Sequence, residues 1–580
     1  MSRHAQRRPW WIWLSALSML LAACATPGAE TTTTGDATGT TADGGVTTTG
    51  GPPVAGGAVR VGYAGAPADL NPGLGVLVED YIMYNLMYDS LLDIDLEGNF
   101  QPEVATDWNV SDDGLTWTLT LRDDIVFHDG EPLTADDVVF SLTLYRDTAA
   151  FPFLPSYLTP FVDIQAVDAT TVTMTAEAPV AAFEYRLPAM YVLPQHIWEA
   201  VDATTFTNDE MIGSGPFKMV EYSQDEFVRL GSNPDYWDGA PAVAEVIFQT
   251  FSNPDARVQA LINGELDMIT EFPATAIPAL TSAADVEVVD GLEYGGRFAD
   301  IFFNVTEPEN CPTEEEGGVC SGHPALRDVI VRQALAHATD KQQILDSVLL
   351  GLGELGLGLV PPALGDWFAS ELLAEDYAFD LGAAAQMLED AGYVDGDGDG
   401  VRECPTDDCG PSGDLTFRMN YPTDNEEHPR VSELLSGWWS EIGVAVEIQG
   451  LDSDALTSIC CPTFDFDVML WSWSSDTDPE GLLGVLLCSE ISSGFSETGY
   501  CNPTYDQLFD EQSVETDPAV RRELIVEMQR VALEDVPYII PFYYPKIQAY
   551  RTDTFTGWQT GFPIIALEDP STLAVLQAAG

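Results

Sequence analysis

Apolar and polar residues recur with two different spacings along the chain from residue 58 onward. Residues 58–63 and 117–121 alternate between apolar and polar side chains, the period of a strand with one buried face. Residues 79–92, 135–145, 328–339, 340–350 and 380–391 place apolar side chains three or four positions apart, which predicts helices. Thr134 is a suitable N-cap for the second of them. Short strands that alternate with helices predict an α/β fold with mixed sheets.

The first 57 residues have a different pattern. Arg3, Arg7 and Arg8 precede an apolar run over residues 10–23, which is shorter than a membrane-spanning helix of about 20 residues and predicts a secretory signal peptide, residues 1–23. A buried helix is the alternative, but nothing around the run could cover it. Its end, Leu21-Ala22-Ala23-Cys24, resembles the lipobox of bacterial lipoproteins, in which the cysteine is lipidated. Residues 24–57 are rich in Thr, Gly and Ala, which predicts a flexible linker.

Charge and length narrow the classes of protein. The 580 residues include 94 Asp or Glu and 22 Lys or Arg, a formal net charge of −72, so nucleic-acid binding is not expected and a basic membrane patch is excluded. A chain of this length should divide into at least two lobes. The acidity fits adaptation to concentrated salt, an ordinary solvated surface, or a funnel for a cationic ligand. The funnel is disfavoured because the acidic residues are spread throughout the chain.

Eight cysteines follow Cys24, and an even number in an exported protein predicts disulfides. Local spacing favours Cys311 with Cys320 and Cys404 with Cys409. The other four would pair among themselves: Cys460, Cys461, Cys488 and Cys501. Zinc is the alternative, but the sequence has no Cys-x-x-Cys pair and its six histidines are scattered singly.

A series of short segments carries a family resemblance across nearly the whole chain after the linker. In order they are 69–72 (DLNP), 88–92 (YDSLL), 102–105 (PEVA), 111–118 (SDDGLTWT), 127–138 (FHDGEPLTADDV), 193–198 (LPQHIW), 213–218 (GSGPFK), 233–241 (NPDYWDGAP), 263–267 (NGELD), 331–335 (VRQAL), 391–393 (AGY), 501–503 (CNP) and 537–541 (PYIIP). Together they resemble the extracytoplasmic solute-binding proteins of ABC importers in the oligopeptide, dipeptide and nickel class, called family 5.

The resemblance implies a two-lobed periplasmic-binding-protein-like fold with a hinge and an extra subdomain. Residues 58–92, 212–300 and 538–580 would form lobe I, residues 93–211 the extra subdomain, and residues 301–537 lobe II. Such a protein closes on a ligand between its lobes and thereby lets a permease distinguish loaded from empty receptor. The expected protein is a monomer outside the cytoplasm, in the periplasm or on the outer face of the membrane, with no required cofactor.

Several motif residues are expected to have structural roles. Asp112, Asp113 and Gly114 have the composition of a hairpin turn, and Gly213 and Gly215 should form a bend before a strand. His128 beside Asp129 could suggest half of a catalytic dyad, but no Ser or Cys nucleophile motif accompanies it, so a turn role is favoured.

The resemblance also points to ligand-binding residues. Trp473-Ser474-Ser475-Asp476 matches a Trp-x-x-Asp segment whose aspartate binds the α-ammonium of a peptide in family members. The family has one more residue between that aspartate and the following Asp-Pro pair, so an ordinary loop-capping role for Asp476 stays open. Trp471 and Trp473 should face one side of a strand, as core or as a stacking surface. Tyr294 and Arg297 should lie near the crossing between the lobes, where Arg297 could meet a carboxylate.

Asp395, Asp397 and Asp399 alternate with glycines in the manner of a calcium-binding loop. The twelfth position, where an EF-hand has Glu, is Thr406, so the match is partial; Glu403 or Asp407 could substitute. An acidic turn without a metal is the alternative, and any calcium would be structural.

Three functions are compatible with these features. The favoured one is a lipid-anchored receptor, not an enzyme, that binds peptides or similar small solutes and delivers them to the permease of an ABC importer. An exported hydrolase is the second, but no nucleophile motif or metal cluster supports it. The third is a solute sensor with the same fold.

Overall fold

The computed structural model describes residues 57–152, 154–406, 409, 413–423, 425, 427–475 and 477–579. The predicted signal peptide, Cys24 and nearly all of the linker lie outside these residues, as does Asp476. Within the described part of the chain, no helix combines the length and the apolar character needed to cross a membrane.

The first large sheet has seven strands, and its central strand is the predicted strand at residues 58–63. Its spatial order is β12 (Val286–Gly291), β19 (Lys546–Arg551), β11 (Met268–Ile269), β1 (Ala58–Tyr63), β10 (Glu245–Thr250), β9 (Phe227–Ser232) and β8 (Phe217–Ser223). β1 pairs in parallel with β10 and β11, while the other pairings are antiparallel. The mixed sheet therefore combines strands from both ends of the described chain.

The second large sheet has six strands. Its order is β14 (Glu354–Leu355), β18 (Tyr538–Tyr543), β13 (Arg297–Phe303), β17 (Val468–Ser474), β15 (Thr416–Pro422) and β16 (Ala445–Leu451). β15 is parallel to both of its neighbours, and the remaining pairs are antiparallel. The predicted lobe boundary at residue 300 lies within β13, and the boundary at residue 538 is the first residue of β18. Both strands belong to this sheet.

Smaller sheets complete the strand inventory. A four-stranded antiparallel sheet has the order β4 (Ala105–Val110), β5 (Thr116–Leu121), β7 (Thr171–Ala176) and β6 (Phe161–Asp168). Two-stranded sheets pair β2 (Leu92–Ile94) with β3 (Phe100–Pro102) and β20 (Phe555–Thr556) with β21 (Gln577–Ala578). The predicted turn joins β4 to β5, and Gly114 there has a φ of 73°, a backbone conformation that favours glycine.

The helices cover the faces of these sheets. They are α1 (Val78–Met87), α2 (Ala135–Asp147), α3 (Leu154–Leu158), α4 (Gln195–Trp198), α5 (Pro254–Ile262), α6 (Ile277–Ser282), α7 (Val329–His337), α8 (Lys341–Val348), α9 (Leu381–Asp390), α10 (His428–Glu441), α11 (Ser453–Cys460), α12 (Glu480–Gly484), α13 (Glu490–Ser493), α14 (Pro503–Val514), α15 (Pro518–Asp535) and α16 (Pro570–Leu573). Short 3₁₀ helices include Phe183–Ala189 and Pro362–Trp367.

The predicted strands and most of the predicted helices are confirmed, and their capping explains why they begin where they do. The side chains of Asp328, Asp340 and Asp380 accept hydrogen bonds from backbone N–H groups in the first turns of α7, α8 and α9. The helix predicted at residues 79–92 is wrong at its end, because α1 stops at Met87 and Tyr88 is already extended. The carbonyl of Met87 instead accepts from the N–H of Gly215 at 3.0 Å.

The bend at Gly213 and Gly215 is explained by this close approach. A Cβ atom on Gly213 would lie 2.0 Å from the carbonyl oxygen of Met87, so only glycine fits. His128 joins the same bend: Gly213 N–H donates to Nδ1 at 3.3 Å, and Nε2 lies 3.1 Å from the carbonyl of Gly215. Burial lowers the pKa of His128 to about 4, so the imidazole stays neutral and holds the two loops together.

Two principal hydrophobic cores underlie the sheets. One core joins the seven-stranded and four-stranded sheets through residues such as Val61, Met83, Leu119 and Phe248. The other surrounds the six-stranded sheet and includes Ile301, Leu335, Phe417 and Trp439. The chain therefore folds around separate cores, as its length predicts.

Four disulfides connect local segments. They join Cys311 to Cys320, Cys404 to Cys409, Cys460 to Cys461, and Cys488 to Cys501. The first two are the pairs favoured by spacing, and the other four cysteines pair among themselves.

Candidate functional site

The two large sheets are joined by two chain segments that run side by side. One connects β12 to β13 through residues 292–296, and the other connects β18 to β19 through residues 544–545. A cavity of about 230 Å³ lies at this crossing and is lined by both segments. Its walls include Glu293, Arg297, Pro361 and Tyr544. Short paired connections of this kind can act as a hinge between the units that they join.

Arg297 is the first residue of β13 and lines this cavity. It therefore lies near the crossing, where the sequence predicted it. Its guanidinium carbon lies 4.5 Å from the centre of the Tyr544 ring, a cation–π contact. The side chain is exposed and forms no ion pair with any of the described residues. Arg297 therefore presents a positive charge toward the crossing, available to a carboxylate.

Tyr294 has a supporting place in the same segment. Its hydroxyl donates to the carbonyl oxygen of Ile94 on β2 at 3.0 Å, and its ring packs with Leu96 and Ile564. Burial raises the pKa of Tyr294, and nearby carboxylates, Asp569 first, raise it further. The phenol thus remains protonated and ties the crossing to the β2–β3 sheet.

Trp471 and Trp473 lie on one face of β17, as their alternation with Ser predicts. In the pairing with β13, Trp471 is opposite Asp300 and Trp473 is opposite Phe298. Trp471 packs in the small core of Phe302 and Met469, whereas Trp473 makes an edge contact with Phe495 at a ring separation of 6.3 Å. Trp473 is thus nearer to the end of β17, where the segment that contains Asp476 begins.

The residues after Asp476 are anchored by a buried ion pair. Arg521 donates to both carboxylate oxygens of Asp478, at 2.6 and 2.8 Å, and both side chains are almost completely buried. Thr477 donates from its hydroxyl to the carbonyl of Tyr185 at 3.2 Å, and the Tyr185 ring contacts Trp367 at 5.7 Å. The segment that follows β17 of the six-stranded sheet therefore contacts the 3₁₀ helix Phe183–Ala189, which follows the four-stranded sheet.

Sequence reasoning missed Arg521, Tyr185 and Trp367 because each acts on a partner that is distant along the chain. Asp478 was visible only as part of an Asp-Pro pair. The scarcity of Arg in so acidic a chain is a signal that could have drawn attention to Arg521, as it did to Arg297.

Two further carboxyl groups, Asp300 and Glu497, lie near the tryptophans, since Asp300 is opposite Trp471 in the strand pairing and Glu497 neighbours Trp473. Asp300 is 1% exposed, and neither of its carboxylate oxygens has a hydrogen-bond partner within the described part of the protein. Glu497 accepts from the Tyr538 hydroxyl at 2.9 Å. Burial raises the pKa of both groups, that of Glu497 to about 7, and the charge of Glu497 adds to the shift at Asp300.

The acidic loop at residues 395–403 gathers a different set of carboxylates from the predicted one. Asp395, Asp397 and Glu403 each offer an oxygen within 4.8 Å of the others. Asp399 accepts from the backbone N–H of Val401 at 2.8 Å and stands outside this set. Glu403, predicted as a substitute for the twelfth-position glutamate, belongs to it. Asp407 lies outside the described residues. Three converging carboxylates are a donor set suited to a hard cation.

Two large mixed sheets joined by paired crossing segments, with a cavity at the crossing, form an architecture typical of solute-binding proteins. Residues 99–493 match the family described as "Bacterial extracellular solute-binding proteins, family 5 Middle". This chain belongs to that family, whose members bind solutes and are not enzymes.

Similar proteins span almost the entire chain. The oligopeptide-binding protein AppA of Bacillus subtilis is 26% identical over 517 residues, covering 87% of this chain and 90% of that protein. The dipeptide-binding protein of Pseudomonas aeruginosa is 25% identical over 525 residues, covering 85% and 91%. The solved structure of Bacillus subtilis AppA with a nonapeptide has a TM-score of 0.72 at 23% identity and covers 91% of this chain and 100% of its own.

Proposed function

We propose that this protein captures peptides in the cleft between its lobes and delivers them to the permease of an ABC importer. The observation that carries the proposal is the similarity, over nearly the full length of both chains, to proteins named for binding oligopeptides and dipeptides. The cavity at the crossing and the unpaired charge of Arg297 are consistent with it.

The lobes follow from the two large sheets. Lobe I would comprise the seven-stranded sheet with residues 58–92, 212–291 and 546–579, and the four-stranded sheet within residues 93–211 would be the extra subdomain. Lobe II would comprise the six-stranded sheet from β13 to β18. The hinge would then be residues 292–296 and 544–545, which moves the proposed boundaries from 300 and 538 to the ends of the strands.

Within the cleft, Asp476 would bind the α-ammonium of the peptide, and Trp473 would pack against its first residues. A carboxylate shielded from water holds an ammonium by charge-assisted hydrogen bonds. Arg297 would form an ion pair with a carboxylate of the peptide. Trp471 and Tyr294 would support these groups from the core and from the hinge.

Processing of the N-terminal segment and a bound metal ion would accompany this function. The signal peptide would be removed, and lipidation of Cys24 would hold the protein outside the cytoplasm by a flexible linker. A structural calcium ion would bind Asp395, Asp397 and Glu403, supported by the convergence of these three carboxylates.

A sensor of the same fold is the second candidate function. A nickel chelate is an alternative ligand, because the structure of NikZ from Campylobacter jejuni was solved in complex with Ni(L-His). That structure is 19% identical, has a TM-score of 0.72, and covers 90% of this chain and 99% of its own. The histidines are poorly placed for nickel: both ring nitrogens of His128 are engaged by backbone groups of Gly213 and Gly215. Among the described residues, no histidine belongs to a group of three or more potential metal ligands.

A ligand screen tests the proposal. Peptides of two, three and nine residues should raise the melting temperature of the purified protein, whereas maltooligosaccharides and nickel–histidine should not. Asp476→Asn should weaken peptide affinity about tenfold or more in calorimetry, because a charge-assisted hydrogen bond is lost. Asp510→Asn, an exposed change on α14, is the matched control and should bind as the unaltered protein does.

A melting shift with sugars or nickel–histidine alone would contradict the peptide proposal. Equal peptide affinity in Asp476→Asn would remove the role of that residue and leave the function intact. If mass spectrometry showed that the protein cleaves the added peptides, the result would favour the hydrolase instead.

A further inference from the structure

The segment between β17 and α12 is held at residues on both sides of Asp476. Before it, the N–H of Ser475 donates to the carbonyl oxygen of Gly296, in the crossing segment, at 2.9 Å. After it, Asp478 is 0% exposed, and both of its carboxylate oxygens accept hydrogen bonds from Arg521 of α15. Only two residues separate these anchors along the chain, so the orientation of Asp478 constrains the backbone that precedes it.

The carboxylate of Asp478 joins two elements. Its Oδ1 accepts from the N–H of Glu480, in the first turn of α12, at 2.9 Å, and from Arg521 Nη2 at 2.8 Å. Its Oδ2 accepts from Arg521 Nη1 at 2.6 Å. A two-point pair between a planar guanidinium and a carboxylate fixes the direction as well as the distance of both groups.

Arg521 is itself held by the elements around it. Its Nε donates to Oε1 of Gln512, in the last turn of α14, at 3.0 Å, and its side chain is 2% exposed. The guanidinium carbon lies 4.9 Å from the centre of the Trp367 ring, and a carboxylate oxygen of Glu480 lies 3.6 Å from Nη2. The arginine therefore has little freedom to move, and Asp478 takes the orientation that Arg521 sets.

The same arginine supports the wall of the crossing cavity. Trp367 ends the 3₁₀ helix Pro362–Trp367, and Pro362 and Ala363 at the start of that helix line the cavity. Arg521 thus contacts both the segment after β17 and the helix that forms part of the cavity wall. A buried side chain with these two contacts can hold a binding site in place without touching the ligand.

Stability gives a poor account of the Asp478–Arg521 pair. Burying two charges costs much of the free energy that their attraction returns, so a buried ion pair adds little net stability. What the pair supplies is a fixed direction for the chain. We propose that Arg521 is a positioning residue for recognition of the peptide's α-ammonium: through Asp478 it orients the segment that carries Asp476. This inference rests on the proposed function, in which Asp476 binds that ammonium.

Peptides with free and blocked N-termini test this role. In calorimetry, the unaltered protein should bind trialanine about tenfold or more tightly than N-acetyl-trialanine, because acetylation removes the ammonium charge. Arg521→Lys keeps the positive charge but loses the planar fork that binds both oxygens of Asp478. The ratio of the two affinities should therefore fall about threefold or more, while the affinity for the acetylated peptide stays within about threefold.

A double variant separates positioning from the cost of an unpaired charge. Arg521→Gln combined with Asp478→Asn removes both charges at once, so neither is left buried alone. Asn also keeps an acceptor for the N–H of Glu480. The ratio of free to acetylated peptide affinity should fall at least as far in this variant as in Arg521→Lys.

Arg332→Lys is the matched control. Arg332 is 5% exposed and donates to the carbonyl oxygens of Leu326, Arg327, Asp535 and Val536, none of which belongs to the segment after β17. The control should lower the melting temperature, because buried hydrogen bonds are lost, yet keep the full ratio of the two affinities.

An undiminished ratio in either variant of Arg521, or an equal loss in Arg332→Lys, would overturn the positioning role and leave peptide binding in place. Equal affinity of the unaltered protein for free and acetylated peptide would overturn the ammonium site and the positioning role together. If neither peptide bound, the proposed function would fail as well.

Discussion

At the residue scale, the carboxyl groups of Asp300 and Glu497 make the stability of the fold depend on pH. Both side chains are buried, and burial favours the protonated form. The Tyr538 hydroxyl supplies a hydrogen bond to Glu497, but neither oxygen of Asp300 has a partner within the described residues. The folded protein therefore holds protons here that the unfolded chain releases.

Glu497→Gln should flatten the dependence of stability on pH. The pKa of Glu497 is about 7 in the folded protein against 4.5 for an ordinary glutamate, so rising pH between these values favours the unfolded chain. Chemical denaturation should show that the variant gains about 3 kcal/mol relative to the unaltered protein between pH 4 and pH 8. Glu433→Gln on α10 is the exposed control; a gain in Glu497→Gln that did not vary with pH would contradict the expectation.

At the scale of elements, the loop after α9 brings the carboxylates of Asp395, Asp397 and Glu403 together. Backbone N–H groups of Gly396 and Gly398 donate to Glu403 and Asp395, which orients these carboxylates inward. The three acidic side chains repel one another unless a cation or solvent ions lie among them.

Calcium should stabilise this loop in the unaltered protein. We expect calorimetry to give a dissociation constant of about 10⁻⁴–10⁻³ M, typical of extracellular calcium sites, and 5 mM calcium to raise the melting temperature. Asp397→Asn should abolish both effects, while Asp390→Asn on the neighbouring helix α9 should not. An equal calcium shift in Asp397→Asn would show that calcium acts elsewhere on this acidic chain.

At the scale of the whole molecule, contacts between the proposed extra subdomain and lobe II would be part of closure. Tyr185 packs on Trp367, Thr477 donates to the carbonyl of Tyr185, and the N–H of Ala181 donates to the carbonyl of Ser513 at 3.2 Å. If the lobes separate in the empty protein, these contacts form anew each time a ligand is captured.

Tyr185→Ala should therefore weaken peptide binding by about threefold to tenfold, the usual worth of an aromatic pair. X-ray scattering should show a smaller radius of gyration for the unaltered protein on peptide addition, and more peptide should be needed for the same change in the variant. Tyr222→Ala, on β8 of the seven-stranded sheet, is the control. A radius that peptide does not change would contradict closure.

The sequence alone supported the elements and the family. Strand and helix periods, capping aspartates and the Gly114 turn depend on neighbours within a few residues, so β1, β5, α2, α7, α8 and α9 could be predicted. The order of short motifs indicated the fold, and Trp471, Trp473, Tyr294 and Arg297 could be placed on the correct segments. Where α1 ends could not be predicted, because that end depends on Gly215, which lies far along the chain.

Tertiary structure decided which charged groups meet. Arg521 and Asp478 lie 43 residues apart, and Asp300 and Glu497 are farther apart still. Nothing in the local sequence of these three carboxyl residues distinguishes them from the other acidic residues of a chain with a net charge of −72. Their protonation and pairing follow from burial and from neighbours that only folding brings close, since charge interactions depend on distance and hydration in space.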